Sequence, residues 1–204
     1  MKKIIALLIA TACMQANAAP LFSNTGLSNT VTFDEVPLAQ GVIVTNQFAA
    51  QGVEFSTTAP GNLYASGNPG VYSGNTNFSG NYLDSFSGGS HSSEYSIHFG
   101  SLVSAAGAYF EFNPGTSNFS SYLGGALQES YIYTNSNCCN SAEFVGFSGN
   151  FDEIRLNAIQ GDDFILDNLS FTAKDSVPVS EPTSIALLGL GLLGFTASRR
   201  KSKK

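Results

Sequence analysis

The stretch "EYSIHFG" (residues 94–100) decides the fold class of this chain. Tyr95, Ile97 and Phe99 alternate with polar residues, so one face of the segment is apolar and the other polar. Alternation with a period of two is typical of a β-strand that is buried on one side. We therefore predict a strand here, with His98 on its polar face.

The same alternation recurs along the chain, between turns rich in Gly, Asn and Ser. The segments that show it are "TVTFD" (30–34), "GVEFS" (52–56), "AAGAYFEF" (105–112), "ALQESYIY" (126–133), "AEFVGF" (142–147), "FDEIRLNAI" (151–159) and "DFILDNLSFT" (163–172). A further segment, "VTNQFAAQG" (44–52), favours a short turn of helix. Eight to ten such strands predict an all-β fold, an antiparallel β-sandwich of the jelly-roll type, over residues 19–175.

The first 18 residues, "MKKIIALLIATACMQANA", have the layout of a secretory signal peptide. Two lysines precede an apolar run, and Ala16 and Ala18 supply an A-x-A cleavage site. The sequence thus predicts an N-terminal signal helix over residues 1–18 that is removed after Ala18. Lipidation at Cys13 is the alternative, although Ala10 stands where such sites usually carry Leu.

Acidic residues lie in the body of the chain and basic residues at its ends. Between residues 19 and 177 the only cations are Arg155 and Lys174, against fourteen Asp and Glu side chains. An acidic body repels a phosphate backbone, which excludes nucleic acid as a partner. The basic ends are typical of segments that stay on the cytoplasmic side of a membrane.

Residues 61–93 are rich in Gly, Asn and Ser, with aromatic side chains at intervals. Two interpretations are open. The aromatic rings of long surface loops can pack back onto the sandwich, or they can face a ligand, because an exposed Tyr ring can stack on a sugar ring. In the second case Tyr64, Tyr72 and Tyr82 are expected to face a glycan.

No arrangement of residues in the sequence indicates catalysis. His91 lies in the loop "GGSHSS" and His98 on a strand, and neither belongs to a known nucleophile motif. Acids that a glycosidase could use occur only as adjacent pairs: Asp34–Glu35, Asp152–Glu153 and Asp162–Asp163. Neighbours on one strand point to opposite faces and cannot flank one glycosidic bond. We therefore predict a protein that is not an enzyme, with polysaccharide hydrolysis as an alternative.

Two of the three cysteines are adjacent. Cys138 and Cys139 lie in "TNSNCCNSA" (134–142) and cannot connect distant parts of the chain, and two neighbours alone do not make a zinc site. In an oxidising compartment we expect them to form a vicinal disulfide or to have one partner each. Two free thiols are the alternative.

Asp167 is the acid most in need of a partner. In "DFILDNLSF" (163–171), alternation places it on the same side as Ile165, Leu169 and Phe171. An ionised carboxylate on a core face is costly unless it is paired or binds a cation. Because the body has so few cations, calcium or backbone amides are the expected partners; the alternative is that Asp167 caps a turn.

The C-terminal part, residues 176–204, is predicted to contain a linker and then a short apolar transmembrane helix over 183–198, followed by a basic tail over 199–204. The fully apolar run Ile185–Ala197 is shorter than the ~20 residues that span a bilayer comfortably. A permanent anchor of this length would be poor.

The order of these parts resembles the PEP-CTERM sorting signal of exported bacterial proteins, which is also known under a name taken from ice-binding proteins. Here Ser180, Glu181 and Pro182 form the motif, with Ser180 in the place of the first proline. The resemblance implies transient anchoring in the inner membrane and cleavage by an exosortase-type processing enzyme. The body would then reach the cell surface or the extracellular matrix.

The body resembles the galactose-binding-like jelly rolls. The segments that carry this resemblance are "VTFDEV" (31–36), "VTNQFAAQGVEFS" (44–56), "FDEIRL" (151–156) and "GDDFILDNLSF" (161–171). It implies a module that binds exopolysaccharide or another glycan, and one structural calcium held by Asp34 and Glu35 together with Asp167. A structural or adhesive matrix component without a discrete ligand is the alternative.

Overall fold

The computed structural model describes residues 18–58, 61–67, 77–85, 93–136, 142–158 and 163–174. Ten β-strands lie within them: β1 (Ala19–Leu21), β2 (Asn29–Val31), β3 (Val53–Thr57), β4 (Tyr64–Gly67), β5 (Asn81–Asp84), β6 (Glu94–Phe112), β7 (Gly115–Leu123), β8 (Ala126–Asn135), β9 (Glu143–Ala158) and β10 (Phe164–Ala173). A short 3-10 turn, Ala49–Gln51, lies in the segment predicted to form a turn of helix.

Within the ranges given above, no helix is long and apolar enough to cross a membrane. Residues 1–17 of the predicted signal helix and the predicted apolar helix over 183–198 lie outside the described residues. Both helices therefore stay predictions.

Hydrogen bonds join the ten strands into one continuous antiparallel sheet that folds over on itself. One part, here called the first sheet, has the order β3-β6-β9-β7-β8. The other part, the second sheet, has the order β4-β5-β10-β6-β9-β1, and β2 pairs with the far end of β10. β6 and β9 belong to both sheets because they are 19 and 16 residues long.

β6 and β9 pass from one sheet to the other at an irregularity in their pairing. Residues 94–98 of β6 pair with 153–157 of β9 in the first sheet, and residues 105–110 pair with 143–148 in the second. Between these two runs the register shifts on either side of Val103. Such bulges let a strand bend sharply and turn the corner of a sandwich.

Aromatic rings fill the space between the two sheets. The ring pairs that join them are Tyr95–Phe164 (4.9 Å between centroids), Phe119–Phe110 (5.3 Å), Tyr131–Phe147 (5.2 Å) and Phe99–Phe171 (5.5 Å). The faces predicted from "EYSIHFG" are confirmed, because Tyr95, Ile97 and Phe99 are buried in this core. The fold is the predicted antiparallel β-sandwich of the jelly-roll type.

Two glycines let β6 and β9 approach closely in the second sheet. Gly107 and Gly146 are direct cross-strand partners. A side chain on Gly146 would collide with the carbonyl oxygen of Ala106 and with Gly107 itself, and one on Gly107 would collide with the carbonyl oxygen of Val145. The spacing of the two longest strands therefore depends on the absence of side chains at this pair.

We predict that Gly146→Ala lowers the free energy of unfolding by about 1–3 kcal/mol, the usual cost of overpacking a rigid interior. The added methyl meets backbone atoms, which cannot rotate away. Denaturant titration measures the loss. Gly100→Ala is the matched control, since a methyl there meets nothing closer than 3.6 Å beyond its chain neighbours. Equal stability of the two variants would contradict the close approach.

Candidate functional site

The turn after β2 presents the first two residues predicted to bind metal. Phe33 has a left-handed backbone (φ +63°), which is unusual for a bulky residue, and its buried ring packs 5.1 Å from that of Phe48. With Phe33 anchored in the core, Asp34 and Glu35 are exposed. Glu35 closes the turn by accepting hydrogen bonds from the N–H and the hydroxyl of Thr32 at 2.8 and 3.1 Å.

Asp167 is fully buried, but not on the face that alternation predicted. Asn168 has a left-handed backbone (φ +51°), and the register between β10 and β6 shifts immediately after Asp167. This bulge reverses the alternation, so that Leu169 and Phe171 point into the main core while Asp167 stays on the other side of the sheet with Ile165. The predicted grouping of Asp167 with Leu169 and Phe171 is therefore wrong.

The segment 77–81 covers Asp167 on that side of the sheet. The Asp167 carboxylate accepts the N–H of Ser79 at 3.1 Å and the N–H of Asn168 at 2.6 Å. The Asn168 side chain in turn donates to the carbonyl oxygen of Asn77 at 2.7 Å. Backbone amides are thus the partners that the structure shows for this carboxylate, one of the two kinds that the sequence predicted.

Asp34 holds the other end of the same segment. Its carboxylate accepts the N–H of Asn81 at 2.9 Å. Gly80 has a left-handed backbone (φ +72°), and any side chain there would collide with the Asp34 carboxylate. Asp34 and Asp167 therefore hold segment 77–81 between them.

The charges in this region act on one another. The pKa of Asp167 is raised from 3.8 to about 7, chiefly by burial and further by the nearby charges of Asp34 and Glu35, while two backbone N–H bonds offset only part of the rise. The structure therefore brings the three predicted metal residues into one neighbourhood, here called the carboxylate cluster. Among the described residues, however, no three His, Cys, Asp or Glu side chains are placed so that they could hold a metal ion.

An open cleft of about 300 Å³ lies beside Tyr64. It is lined by Gln40, Gly41, Tyr64, Ala65, Ser66 and Asp84. Leu63, just before β4, and Ala65 within it are buried in the main core, whereas Tyr64 between them points the other way and is half-buried. Asp84 is the direct cross-strand partner of Tyr64. The cleft therefore joins an aromatic ring, a carboxylate, an amide and a hydroxyl group.

Backbone hydrogen bonds fix the wall of this cleft. The N–H of Gly41 donates to the carbonyl oxygen of Ala65 at 2.8 Å, and the N–H of Ala65 donates to that of Val42 at 2.8 Å. The Tyr64 hydroxyl accepts a hydrogen bond from the Asn62 side chain at 3.3 Å. The cleft is thus part of the sheet edge and is positioned by it.

The other aromatics predicted to face a glycan differ from Tyr64. Tyr82 is only 4% exposed and packs against Phe78 and Ile165, with 6.3 Å between the two ring centroids. It cannot present its ring to a ligand, because Phe78 of the covering segment packs against it, and the prediction for Tyr82 is therefore wrong. Tyr72 lies outside the described residues.

The outer side of the first sheet carries a polar network that the sequence did not reveal. His98 Nε2 lies 2.8 Å from Ser56 Oγ, and His98 Nδ1 lies 3.8 Å from Glu153. Arg155 donates to the two oxygens of Glu153 at 2.7 and 3.0 Å and lies 4.0 Å from the ring centre of Tyr122. These side chains come from four strands, so only the strand register brings them together.

Ser56, His98 and Glu153 have the order of a nucleophile, a base and an acid. The gap of 3.8 Å between base and acid is nevertheless too long for a hydrogen bond. Burial alone would raise the pKa of Glu153, but hydrogen bonds from Arg155 and Ser96 outweigh it and lower that pKa. The carboxylate is therefore committed to Arg155, and the network acts as a structural ion pair.

Several residues with predicted roles lie outside the described residues: Cys13, His91, Cys138, Cys139, Ser180, Glu181 and Pro182. The vicinal disulfide between Cys138 and Cys139 therefore stays a prediction.

Residues 178–201 match the PEP-CTERM protein-sorting motif. The match contains Ser180, Glu181 and Pro182, and it confirms the sorting signal predicted at this end of the chain. The motif marks the chain as an exported, sorted protein. No curated protein matches the chain.

Solved structures that are similar to the chain include the following three. One is described as GH31 CBM32-2 bound to GalNAc, with 16% identity, covering 57% of this chain and 100% of that one at a TM-score of 0.35. Another is the Clostridium thermocellum xylanase 10B fragment with CBM22-1 and GH10 modules, complexed with xylohexaose, with 16% identity, 67% and 29% coverage and a TM-score of 0.38. The third is the Agl-KA catalytic domain, with 10% identity, 78% and 31% coverage and a TM-score of 0.35.

The raised pKa of Asp167 predicts how stability depends on pH. The folded protein keeps the Asp167 proton up to about pH 7, whereas the unfolded side chain loses it near 3.8, so folding takes up a proton between these values. In EDTA, the stability contributed by this group is fully present below about pH 4, falls as the pH rises to about 7, and is absent above, a change on the order of 2–4 kcal/mol.

Denaturant titrations from acid to neutral pH measure this change. Asp167→Asn should remove the fall. Asp152→Asn is the matched control, because Asp152 is half-buried and accepts the N–H of Gly124 at 2.9 Å, well away from the cluster, and it should keep the fall. Parallel curves for the wild type and Asp167→Asn would refute the assignment.

Proposed function

We propose that this chain is an exported protein of the cell surface or exopolysaccharide matrix whose β-sandwich binds a glycan and catalyses no reaction. The observation that carries the proposal is the cleft beside Tyr64. The same chain contains a sorting motif over residues 178–201. A protein sorted to the cell surface or matrix would meet polysaccharide there. The cleft supplies a place on its surface for a sugar to bind.

The chemistry of the cleft suits a sugar. A half-buried tyrosine ring offers an apolar face to the C–H groups of a sugar ring. The carboxylate of Asp84, the amide of Gln40 and the hydroxyl of Ser66 can accept or donate hydrogen bonds to sugar hydroxyls. The open shape suits part of a longer chain rather than an enclosed small molecule.

The sorting motif supports a two-step route to the surface. The apolar run in residues 183–198 would hold the protein briefly in the inner membrane, and an exosortase-type enzyme would cleave close to Ser180, Glu181 and Pro182. The basic residues 199–204 would stay on the cytoplasmic side. The mature body would then be free of both terminal segments.

We also propose that the carboxylate cluster binds one structural calcium. Asp167 is fully buried beside two further acids, and its pKa is raised chiefly by this burial and further by the charges of Asp34 and Glu35. Calcium takes six to eight oxygen ligands, including backbone carbonyls. Binding would require the carboxylates to exchange backbone N–H partners for the ion, together with a small movement of segment 77–81.

A glycan array tests the binding function. The body, residues 19–174, should bind at least one class of oligosaccharide, and Tyr64→Ala should weaken that binding at least tenfold, about 1.4 kcal/mol. Tyr122→Ala is the matched control, because Tyr122 lies on the first sheet against Arg155 and away from the cleft. If the wild-type body binds no glycan, the protein is a structural or adhesive component instead.

Intact-mass analysis of surface material from producing cells tests the sorting step. We expect a mature species that lacks residues 199–204, because cleavage near Pro182 removes everything beyond it. Deleting residues 185–204 should release a folded body into the periplasm. A mature surface species that still carries the basic tail would refute the processing.

Thermal melts in EDTA and in millimolar calcium test the metal proposal. Because the ion would bind only the folded form, stability should rise by about 3 kcal/mol at a hundredfold excess over Kd. Asp167→Ala should abolish the response, whereas the control Asp152→Ala should keep it. Superimposable wild-type melts in the two conditions would mean that calcium does not bind.

A further inference from the structure

β8 forms an open edge of the first sheet. Among the strands that the structure describes, this strand of 10 residues pairs only with β7. The N–H of Ser130 donates to the carboxylate of its own neighbour, Glu129, at 3.0 Å and so points away from β7. Alternate residues of an antiparallel strand turn their N–H and C=O groups to the same edge, so Ile132 and Thr134 present theirs there as well. The edge can therefore accept a further strand.

Exposed apolar side chains concentrate along this edge. The described residues include four exposed large apolar side chains, and three of them lie here: Leu127 (58%), Ile132 (67%) and Phe22 (60%). Phe22 follows β1, the edge strand of the second sheet, and its ring packs 5.6 Å from that of Tyr131 in β8. The edges of the two sheets thus lie side by side. β8 together with Phe22 is here called the apolar edge.

The apolar edge carries little charge and lacks two common protections. Natural edge strands are often kept apart by Lys or Pro residues. β8, "ALQESYIYTN", contains neither, and its one charged residue is Glu129. The body as a whole has fourteen acids against two cations between residues 19 and 177, so two copies repel each other wherever acids face acids. A second copy meets the least repulsion when apolar edge faces apolar edge.

We propose that this chain forms a dimer in which β8 pairs with β8 of a second copy, antiparallel, so that the two first sheets join into one sheet. A twofold axis beside Ile132 sets the two Ile132 side chains opposite each other. In this register each Glu129 lies opposite the position of Asn135, so the two Glu129 residues are six positions, or about 20 Å, apart along the strand. The proposal goes beyond the glycan function and does not depend on it.

The apolar edge is large enough for a specific interface. An antiparallel strand of this length measures roughly 34 Å, and a sandwich of two sheets with its side chains is about 20 Å deep, which gives at most about 700 Å² on each copy. The total of at most about 1,400 Å² lies above the ~1,000 Å² that a specific interface needs.

Sedimentation equilibrium of the mature protein isolated from producing cells tests the dimer. We expect a monomer–dimer equilibrium that shifts toward the dimer as salt is added, because salt screens the repulsion between two acidic bodies. Ile132→Lys should weaken the dimer at least tenfold, because it sets two ammonium groups opposite each other. Ile43→Lys is the matched control, since Ile43 is the fourth exposed apolar side chain (46%) and lies beside Tyr64. It should leave the dimer intact.

Amide hydrogen exchange tests whether the edge itself is covered. The N–H groups of Ile132 and Thr134 should exchange more slowly as the protein concentration rises through the dimer Kd. If Ile132→Lys does not fold, this dependence in the wild type decides. A monomer in which these amides exchange slowly would mean that another segment of the same chain covers the edge, and a monomer with fast exchange would mean that the edge is open to a different partner. Either result overturns the proposal, as does a dimer that both Lys variants weaken equally.

Discussion

The antiparallel pairing of β6 with β9 is the constraint on which the rest of the structure depends. It is the only pairing among the described strands that runs through both sheets, and the glycine pair Gly107–Gly146 sets its spacing where it passes through the second. Every other part attaches to its flanks: β3 and β7 on one half, β10 and β1 on the other. β5 pairs with β10, and β4 pairs with β5. The cleft beside Tyr64 therefore lies at the edge of the second sheet, three pairings away from β6.

The carboxylate cluster depends on backbone conformations that L-residues adopt reluctantly. Phe33 and Asn168 are the two non-glycine residues of the described part with positive φ, and each stands next to one of the acids. Such conformations cost on the order of 1–3 kcal/mol and persist only where the surroundings enforce them. The ring contact with Phe48 holds Phe33 in this conformation, and the hydrogen bond from the Asn168 side chain to the carbonyl oxygen of Asn77 holds Asn168. Two strained turns thus direct Asp34 and Asp167 at the same segment.

The sequence predicts the strands well and their faces less reliably. Simple alternation placed Tyr95, Ile97 and Phe99 in the core correctly, because β6 is regular there. Alternation failed for Asp167, because the bulge at Asn168 exchanges the two faces of β10. The only sign of this bulge in the sequence is the Asn itself. The buried state of Asp167 was nevertheless predictable, as was its dependence on backbone amides, because an acid within an apolar strand of a cation-poor body has few other partners.

Contacts between distant strands could not be predicted from one sequence. The burial of Tyr82 follows from its position under segment 77–81, and the network of His98 with Ser56 and Glu153 follows from cross-strand register. Alternation within a strand says which face a residue occupies but not which residue lies opposite. The same limit applies to the cleft: Tyr64 was a candidate from composition, whereas its pairing with Asp84 required the register of β4 against β5.

The carboxylate cluster and the cleft are linked through β5. Asp34 binds the N–H of Asn81 at the start of this strand, and Asp84, three residues further on, lines the cleft. A calcium ion at the cluster would act on the cleft in two ways, by fixing the start of β5 and by adding positive charge nearby. Three extended residues span roughly 10 Å, which is about one Debye length at ~0.1 M salt, so salt would weaken the added charge at Asp84 but would not remove it. Salt does not weaken the first effect, because the hydrogen bonds of β5 to β4 and β10 transmit the position of the strand directly to Asp84. Both effects of a metal at the cluster would therefore reach the wall of the cleft, the first through hydrogen bonds and the second weakened by salt.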